Sequence, residues 1–196
     1  MLEYLLKYDP KLVKRCLKKD RKAQNELHKL CYAQLIPVCW RYAADQDQAV
    51  EYFNLGFTKI IFNLKKYKTN VPFELWCRKV MINSIIDEYR RSKQYRETME
   101  LKAREDLANA NRLETKLSEA QEDMLELIKS KLKNLPPMTS KVFNLYAIDG
   151  YKHHEIATLL NISEGTSQWH YSMAKKRIRE LVRESHGETY FNEKAS

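Results

Sequence analysis

The sequence has 196 residues, enough for one large domain or two small ones that each bury a core. Only four glycines and five prolines accompany abundant Leu, Lys, Glu, Ala and Ile, a composition that favours helices over hairpins. The four cysteines lie far apart without a CxxC pair, and no apolar run approaches the roughly 20 residues of a membrane span. With charged residues near the N terminus in place of a secretory signal, these features predict an all-α cytoplasmic protein with reduced thiols and no membrane insertion.

The charged residues are distributed unevenly along the chain. The formal net charge is +9, and residues 1–94 carry +9, residues 95–126 carry −4 and residues 127–196 carry +4. Two basic segments joined by an acidic one are expected if two separate surfaces face an anionic polymer. Many proteins have a solvated lysine surface, however, so charge alone indicates nucleic acid without establishing it.

The N-terminal half predicts a helical domain over residues 1–93. Apolar residues recur at helical spacing from about Leu12 to Tyr42 and again from Gln48 to Lys65. A third helix is predicted from Phe73 to about Lys93, since the proline before it fits a helix start. This third helix is apolar on two faces, which indicates that it lies between neighbours.

The polar residues of the third predicted helix collect on one flank. Lys79, Asn83 and Arg90 are spaced at i, i+4 and i+11, which places two basic side chains and an amide along one narrow strip. Residues 94–119 follow as an acidic linker, because they favour helix but have little apolar surface to bury.

The C-terminal domain is predicted over residues 120–185, followed by a tail at 186–196. A helix from Met124 to Leu135 should end at the two following prolines. Thr139 or Ser140 is a candidate cap for the next helix, which should stop near Gly150.

The segment KHHEIATLLNISEGTSQWHYSMAKKRIRELV reads as two helices separated by a tight turn. Ala157 is small enough for a second helix to cross close by, and Asn161 tolerates the positive φ that a chain reversal needs. Ile162 can fill the core beneath the turn, and Ser163 is a suitable N-cap for the second helix. The spacing therefore predicts a helix-turn-helix.

The second of these helices has two distinct faces. Its inward face is predicted to consist of five residues: Ser167, Tyr171, Ala174, Ile178 and Leu181. The outward face would present its N-terminal N–H groups to phosphate and its side chains to base edges, with a basic tail for the DNA backbone. A plain helical hairpin with a solvated face has the same periodicity, so periodicity alone leaves that alternative open.

At this point the sequence resembles a known family. GYKHHEIATLLNISEGTSQWHYSMAKKRIREL is similar to region 4 of the extracytoplasmic-function (ECF) sigma factors of the sigma-70 family. Upstream, FELWCRKVMINSIIDEYRR resembles the end of their region 2, and DQDQAVEYFNLGF resembles the region 2 helix that docks on polymerase. The segments that resemble regions 2 and 4 occur in the family's order and are separated by a polar segment.

The resemblance implies roles for particular residues. Region 4 of such factors reads the −35 promoter element as duplex, which here implicates Ser163, Gly165, Thr166, Gln168, Trp169, Ser172, Met173 and Lys176. Region 2 captures an unstacked base and opens the −10 element, which implicates Lys66, Tyr67, Lys68, Thr69, Asn70, Lys79, Asn83 and Arg90. An exposed base must be compensated for lost stacking by aromatic and charged groups.

The resemblance also implies protein partners. The docking helix would contact core RNA polymerase through Glu51, Asn54 and Leu55. The beta-prime and beta subunits of the polymerase would be the partners. The family usually has an acidic-Gln-Glu pattern there, so Asn54 and Leu55 depart from it. Promoter DNA and an anti-sigma factor are the other partners that the family implies, in the bacterial cytoplasm at the nucleoid.

Two other classes of protein compete with this interpretation. A stand-alone helix-turn-helix regulator would dimerise on palindromic DNA, but it would leave residues 10–93 without a role. An enzyme or metalloprotein could use His28, Cys31 and Cys39, yet these make a poor zinc site without a fourth ligand. No phosphate-binding glycine loop or nucleophile elbow is present, so we expect no catalytic residues, metal or cofactor. For Trp169, packing against its own domain remains as open as a DNA contact.

Overall fold

The computed structural model describes residues 9–68, 70–100 and 135–186, and the side chains within them except those of 93, 95–100 and 181–186. The chain divides into two compact units, Met1–Ala103 and Arg104–Ser196. All regular secondary structure in the described ranges is helical, which confirms the all-α prediction with two small helical units. Among those same residues, no helix has the length and apolar character needed to cross a membrane.

The N-terminal unit contains four α-helices among its described residues. They are α1 (Pro10–Leu17), α2 (Arg21–Tyr42), α3 (Gln46–Asn63) and α4 (Phe73–Glu100), with a short 3₁₀ turn at Leu64–Lys66. The last helix extends beyond the predicted end at Lys93, so residues 94–100 of the predicted linker are helical. The rest of that linker, residues 101–119, lies outside the described residues, as does the predicted helix at 124–134.

The prediction of one helical stretch from Leu12 to Tyr42 was wrong at one point. The chain breaks between α1 and α2, where Lys19 has a φ of 62°. Asp20 then starts α2, because its carboxylate accepts hydrogen bonds from the N–H groups of Lys22 (2.9 Å) and Ala23 (3.1 Å). A short acidic side chain satisfies donors that a new helix leaves unpaired, and this stabilises the break.

Helices α2 and α3 form an antiparallel pair that α4 covers. The His28 ring meets Phe57 at 4.8 Å and the Tyr32 ring meets Phe53 at 4.9 Å between centroids, so the two helices run in opposite directions. The core between the three helices consists of apolar side chains that are almost fully buried: Leu27, Val38, Phe53, Ile60, Met81, Ile82, Ile85 and Ile86. This agrees with the prediction that the last helix is apolar on two faces.

Gly56 allows α3 and α4 to approach closely. A methyl group at this position would overlap the sulfur atom of Met81, which is fully buried on α4. Glycine costs helix stability relative to alanine, about 1 kcal/mol, so its place in the middle of α3 is explained by this close packing.

All four cysteines are free thiols in the core of the N-terminal unit. Burial raises the pKa of Cys16 to about 11 and that of Cys39 to about 12. The pKa of Cys77 is also raised, first by its hydrogen bond with Cys31 and then by burial. The thiols of Cys16, Cys39 and Cys77 are therefore protonated at neutral pH and behave as small apolar groups.

The C-terminal unit contains three described α-helices. They are α5 (Pro137–Phe143), which passes into a π turn at Asn144–Ile148, α6 (His153–Leu160) and α7 (Glu164–His186). The helical stretch stops before Gly150, as predicted, because glycine there adopts a φ of 75° that other residues rarely adopt.

The predicted cap of α5 was wrong. The helix begins at Pro137, and the residue before it, Pro136, has no side chain that could cap. Thr139 lies inside the first turn and is buried, and its hydroxyl is hydrogen-bonded to Nδ1 of His170 on α7, at 2.9 Å. A threonine that resembles a cap in sequence is used here to join two helices.

The contact between Gly56 and Met81 predicts a loss of stability on substitution. Gly56→Val should lower the free energy of unfolding of the N-terminal unit by about 1–3 kcal/mol, because the added side chain displaces a buried neighbour. Urea denaturation of the full chain, followed by circular dichroism, measures the change. The double variant with Met81→Ala should lose less than the sum of the two single losses, and additive losses would show that the two positions do not interact.

Candidate nucleic-acid interface

The turn between α6 and α7 has the geometry that the sequence predicted. Asn161 adopts the left-handed conformation, with φ and ψ both 54°, and the N–H of Ile162 donates to the carbonyl of Ala157 at 3.1 Å. The hydroxyl of Ser163 then accepts a hydrogen bond from the N–H of Thr166 at 3.0 Å, which caps α7. The predicted reversal at Asn161 and the predicted cap at Ser163 are confirmed.

The inner face of α7 is held by buried polar contacts as well as by apolar packing. Ser167 and Ala174 are fully buried, while Tyr171 and Ile178 are half-buried. The Ser167 hydroxyl is hydrogen-bonded to Nδ1 of His153 on α6, at 2.9 Å. These positions confirm the predicted inward face as far as Ile178, because the side chain of Leu181 lies outside the described part.

Two histidines therefore join α7 to the rest of its unit. His153 connects it to α6, and His170 connects it to Thr139 on α5. Burial lowers the pKa of His170, so its ring is neutral at neutral pH. Sequence reasoning missed both pairs, since the residues lie 14 and 31 positions apart in the chain.

The outer face of α7 is open to solvent. All eight residues assigned to −35 recognition are exposed: Ser163, Gly165, Thr166, Gln168, Trp169, Ser172, Met173 and Lys176. The ring of Trp169 meets the edge of the His170 ring at 4.9 Å, yet 56% of the residue remains exposed. Packing within its own domain therefore uses only part of this tryptophan.

Basic side chains surround the outer face. Lys176 and Arg179 are exposed, whereas the ammonium group of Lys175 lies over the Tyr171 ring at 4.6 Å. Arg177 forms an exposed ion pair with Glu180 at 3.2 Å. Such a pair is worth no more than about 1 kcal/mol, so a phosphate group can compete for the arginine.

In the N-terminal unit, the loop assigned to base capture is supported by an aromatic cluster. The Tyr67 ring contacts Phe73 at 5.0 Å and Trp76 at 5.4 Å, and its hydroxyl donates to the carbonyl of Val71 at 2.8 Å. Of the assigned loop residues, Lys66, Lys68 and Asn70 are exposed, Tyr67 is half-buried and Thr69 lies outside the described residues.

The basic flank of α4 is only partly open. Lys79 and Arg90 are exposed, as the helical spacing predicted, but Asn83 is half-buried between them. Its Oδ1 atom is buried and has no hydrogen-bond partner within the described ranges. Such groups are uncommon in folded proteins and cost free energy, so Asn83 is the unusual member of this flank.

The outer face of α3 carries the residues assigned to polymerase docking. Glu51, Asn54 and Leu55 are all exposed. Phe62 lies on the same side, eleven residues after Glu51, and is 80% exposed. Sequence reasoning missed Phe62, although its offset from the apolar face that includes Phe53 and Ile60 was a usable signal.

The side chains considered for metal binding are used in packing. The ring of His28 lies edge-on against Phe53 and Phe57, and Cys31 is buried beside Cys77. Within residues 9–68, 70–100 and 135–186, no group of three or more His, Cys, Asp or Glu side chains could hold a metal ion.

Comparison with known proteins supports a single family. The family described as Sigma-70, region 4 matches residues 125–178, which include the helix-turn-helix. The curated protein "ECF RNA polymerase sigma factor SigW" of Bacillus subtilis (strain 168) is 24% identical over 180 residues, covering 89% of this chain and 96% of that protein.

A solved structure shares the fold. The sigma factor RpoE in complex with the anti-sigma factor NepR from Bartonella quintana is similar with a TM-score of 0.50 and 17% identity, covering 81% of this chain and 96% of that one. CnrH in complex with the cytosolic domain of CnrY aligns with a TM-score of 0.47 and 17% identity over 88% of this chain and 96% of that one. The region 4 match and the similarity to SigW over most of both chains together support an extracytoplasmic-function factor of the sigma-70 family.

Proposed function

We propose that this chain binds core RNA polymerase and directs it to promoters by contacting a −10 and a −35 element. The observation that carries the proposal is the exposed outer face of α7, held at a fixed rotation by buried contacts within the unit that matches region 4. The family is one of regulatory, non-enzymatic proteins, so the polymerase performs the chemistry and this chain supplies recognition.

The −35 element would be read by α7 in the major groove. Its N-terminus is exposed, and unpaired N–H groups there can bind a phosphate of the DNA backbone. The amide of Gln168 can donate to and accept from an adenine edge, while Lys176 and Arg179 neutralise phosphates. Phosphate contacts set the orientation of the helix, and base contacts supply the preference for sequence.

The −10 element would be opened by the N-terminal unit. The aromatic cluster of Tyr67, Phe73 and Trp76 supports the loop, and the exposed lysines and asparagine beside it offer charge and hydrogen bonds to an unstacked base. Lys79 and Arg90 on α4 would then contact the backbone of the separated strand.

Polymerase would dock on the outer face of α3. Residues 51, 55, 58 and 62 are spaced four, three and four apart, which is the spacing by which a second helix packs along a first. Leu55 and Phe62 supply apolar contact on this face, and Leu55 stands where the family usually has part of its acidic-Gln-Glu pattern.

The two units would act at two DNA elements at once. Residues 1–93 would form the −10 domain, residues 120–185 the −35 domain, and the acidic residues 94–119 the connection between them. The RpoE structure contains an anti-sigma factor, which supports a partner of that kind for this chain as well. The protein would act in the bacterial cytoplasm at the nucleoid.

Transcription assays distinguish this function from that of a stand-alone helix-turn-helix regulator. Run-off transcription with core polymerase and genomic fragments should depend on the purified chain, because core enzyme alone does not select promoters. In gel shifts the chain alone should bind duplex promoter DNA weakly, and the complex with polymerase should bind strongly. Tight binding of the isolated chain to palindromic DNA, without association with polymerase, would support the regulator instead.

Substitutions on the flank of α4 should impair promoter opening. Arg90→Ala and Asn83→Ala are expected to reduce permanganate reactivity of the −10 thymines several-fold, while binding to core polymerase is retained. Asn83→Ala removes a buried oxygen without a partner, so it should not lower stability. Arg91→Ala, with the same charge change as Arg90→Ala, is the matched control, because Arg91 lies about 100° around the helix from Arg90 and off this flank; an equal effect there would contradict the assignment.

Phe62 should contribute strongly to polymerase binding. Phe62→Ser is expected to weaken association with core polymerase about tenfold or more, since a large apolar side chain that becomes buried on binding is a main source of interface energy. Fluorescence anisotropy of the labelled chain measures the affinity. Trp40→Ser removes another exposed aromatic at the opposite end of the α2–α3 pair and should have a smaller effect; the reverse ranking would place the interface elsewhere.

A further inference from the structure

The exposed face of α7 consists of two adjacent strips with different chemistry. Residues four apart lie side by side along a helix, because each residue advances the chain by about 100°. Gln168 and Ser172 form a polar strip, and Trp169 and Met173 form an apolar strip beside it. Gln168 can pair with the edge of a base, but the apolar strip requires a different ligand.

The apolar strip is available for contact. Trp169 is 56% exposed and Met173 is 38% exposed, so together they present an aromatic ring and a thioether on the side of α7 that faces solvent. The buried seam formed by Ser167 and Ala174 lies on the opposite side of the helix and holds the strip outward. Large apolar side chains grouped on an exposed face mark an interaction site.

The surroundings of the strip favour DNA over a protein as its ligand. Lys176 and Arg179 are exposed on the same helix, and the helix N-terminus adds partial positive charge at the other end of the strip. An anionic polymer complements this positive charge. To bind the apolar strip as well, the polymer must present apolar groups where the side chains of Trp169 and Met173 can contact them. In the major groove the C5-methyl group of thymine is that apolar group.

We propose that Trp169 and Met173 read thymine methyl groups in the upstream promoter element, beside a base that Gln168 recognises through hydrogen bonds. The inference rests on the proposed function of α7 and specifies its sequence preference. In an A·T pair the adenine offers a donor and an acceptor, and the thymine offers its methyl group on the same floor of the groove. The polar strip therefore matches the hydrogen-bonding edge of adenine, and the apolar strip matches the methyl group of thymine.

The test removes single methyl groups from the DNA. The upstream element is first obtained by selecting random duplexes with polymerase reconstituted with the full chain. Each thymine in the selected element is then replaced by deoxyuridine, which keeps the base pair and lacks the methyl group. Binding of the reconstituted enzyme should fall about three- to fivefold at one or two positions, the value of burying one methyl group.

Variants of the chain assign the effect to the strip. With Met173→Ala or Trp169→Ala, thymine and deoxyuridine should bind equally at the position that the missing side chain contacted. Ser172→Ala lies on the polar strip and is the matched control. Overall binding should fall, because Ser172 is assigned to −35 recognition, but the difference between thymine and deoxyuridine should remain. Met173→Leu should also keep it, because an apolar side chain of similar volume remains.

Three outcomes would overturn the inference. They are a selected element without thymine, full binding to every deoxyuridine duplex, and an unchanged methyl effect in both strip variants. The proposed function is tested separately by Gln168→Ala, which should relax the preference at one upstream base pair by roughly 5- to 150-fold. If that variant behaves as expected while methyl removal has no effect, region 4 reads the element and the strip does not contact thymine. If neither has an effect, the proposed reading by α7 itself fails.

Discussion

The rotation of α7 about its own axis is the constraint on which the proposed reading of DNA depends. If α7 rotated about its axis by one residue position, about 100°, exposed polar side chains would become buried, and the buried seam of Ser167 and Ala174 would become exposed. The buried Ser167 hydroxyl has its partner on α6, and the buried Thr139 hydroxyl on α5 has its partner on α7. Each hydroxyl would cost about 1–3 kcal/mol if left unpaired, so the two contacts favour one rotation over its neighbours. Apolar packing alone tolerates small rotations more readily, since it has no direction.

The same separation between an inner seam and an outer face occurs in the N-terminal unit. Helix α3 uses Phe53 and Ile60 for the core and approaches α4 closely at Gly56. Leu55 and Phe62 lie on the opposite side of this helix and remain exposed. In both units a rigid interior presents an apolar group on a polar surface, which is the arrangement expected of protein and DNA contact sites.

Local sequence signals predicted some features and missed others for identifiable reasons. Asn161 was predictable because a left-handed residue between two helices has few candidates. The break at Lys19 was not, since lysine is a good helix former and the signal was the less obvious cap at Asp20. Thr139 was wrongly predicted as a cap because its sequence signal is ambiguous. A threonine near the start of a helix can either cap that helix or point inward and bond to a distant residue, which here is His170.

The sequence by itself determined the helical fold, the helix-turn-helix and the buried face of α7, because hydrophobic periodicity and capping act over a few residues. It also carried the motifs that resemble regions 2 and 4. Only the tertiary structure decided that His153 and His170 fix α7, that Asn83 is half-buried and that Phe62 is exposed. These facts depend on which helices meet, and contacts between residues distant in the chain are set by the packing of the whole unit.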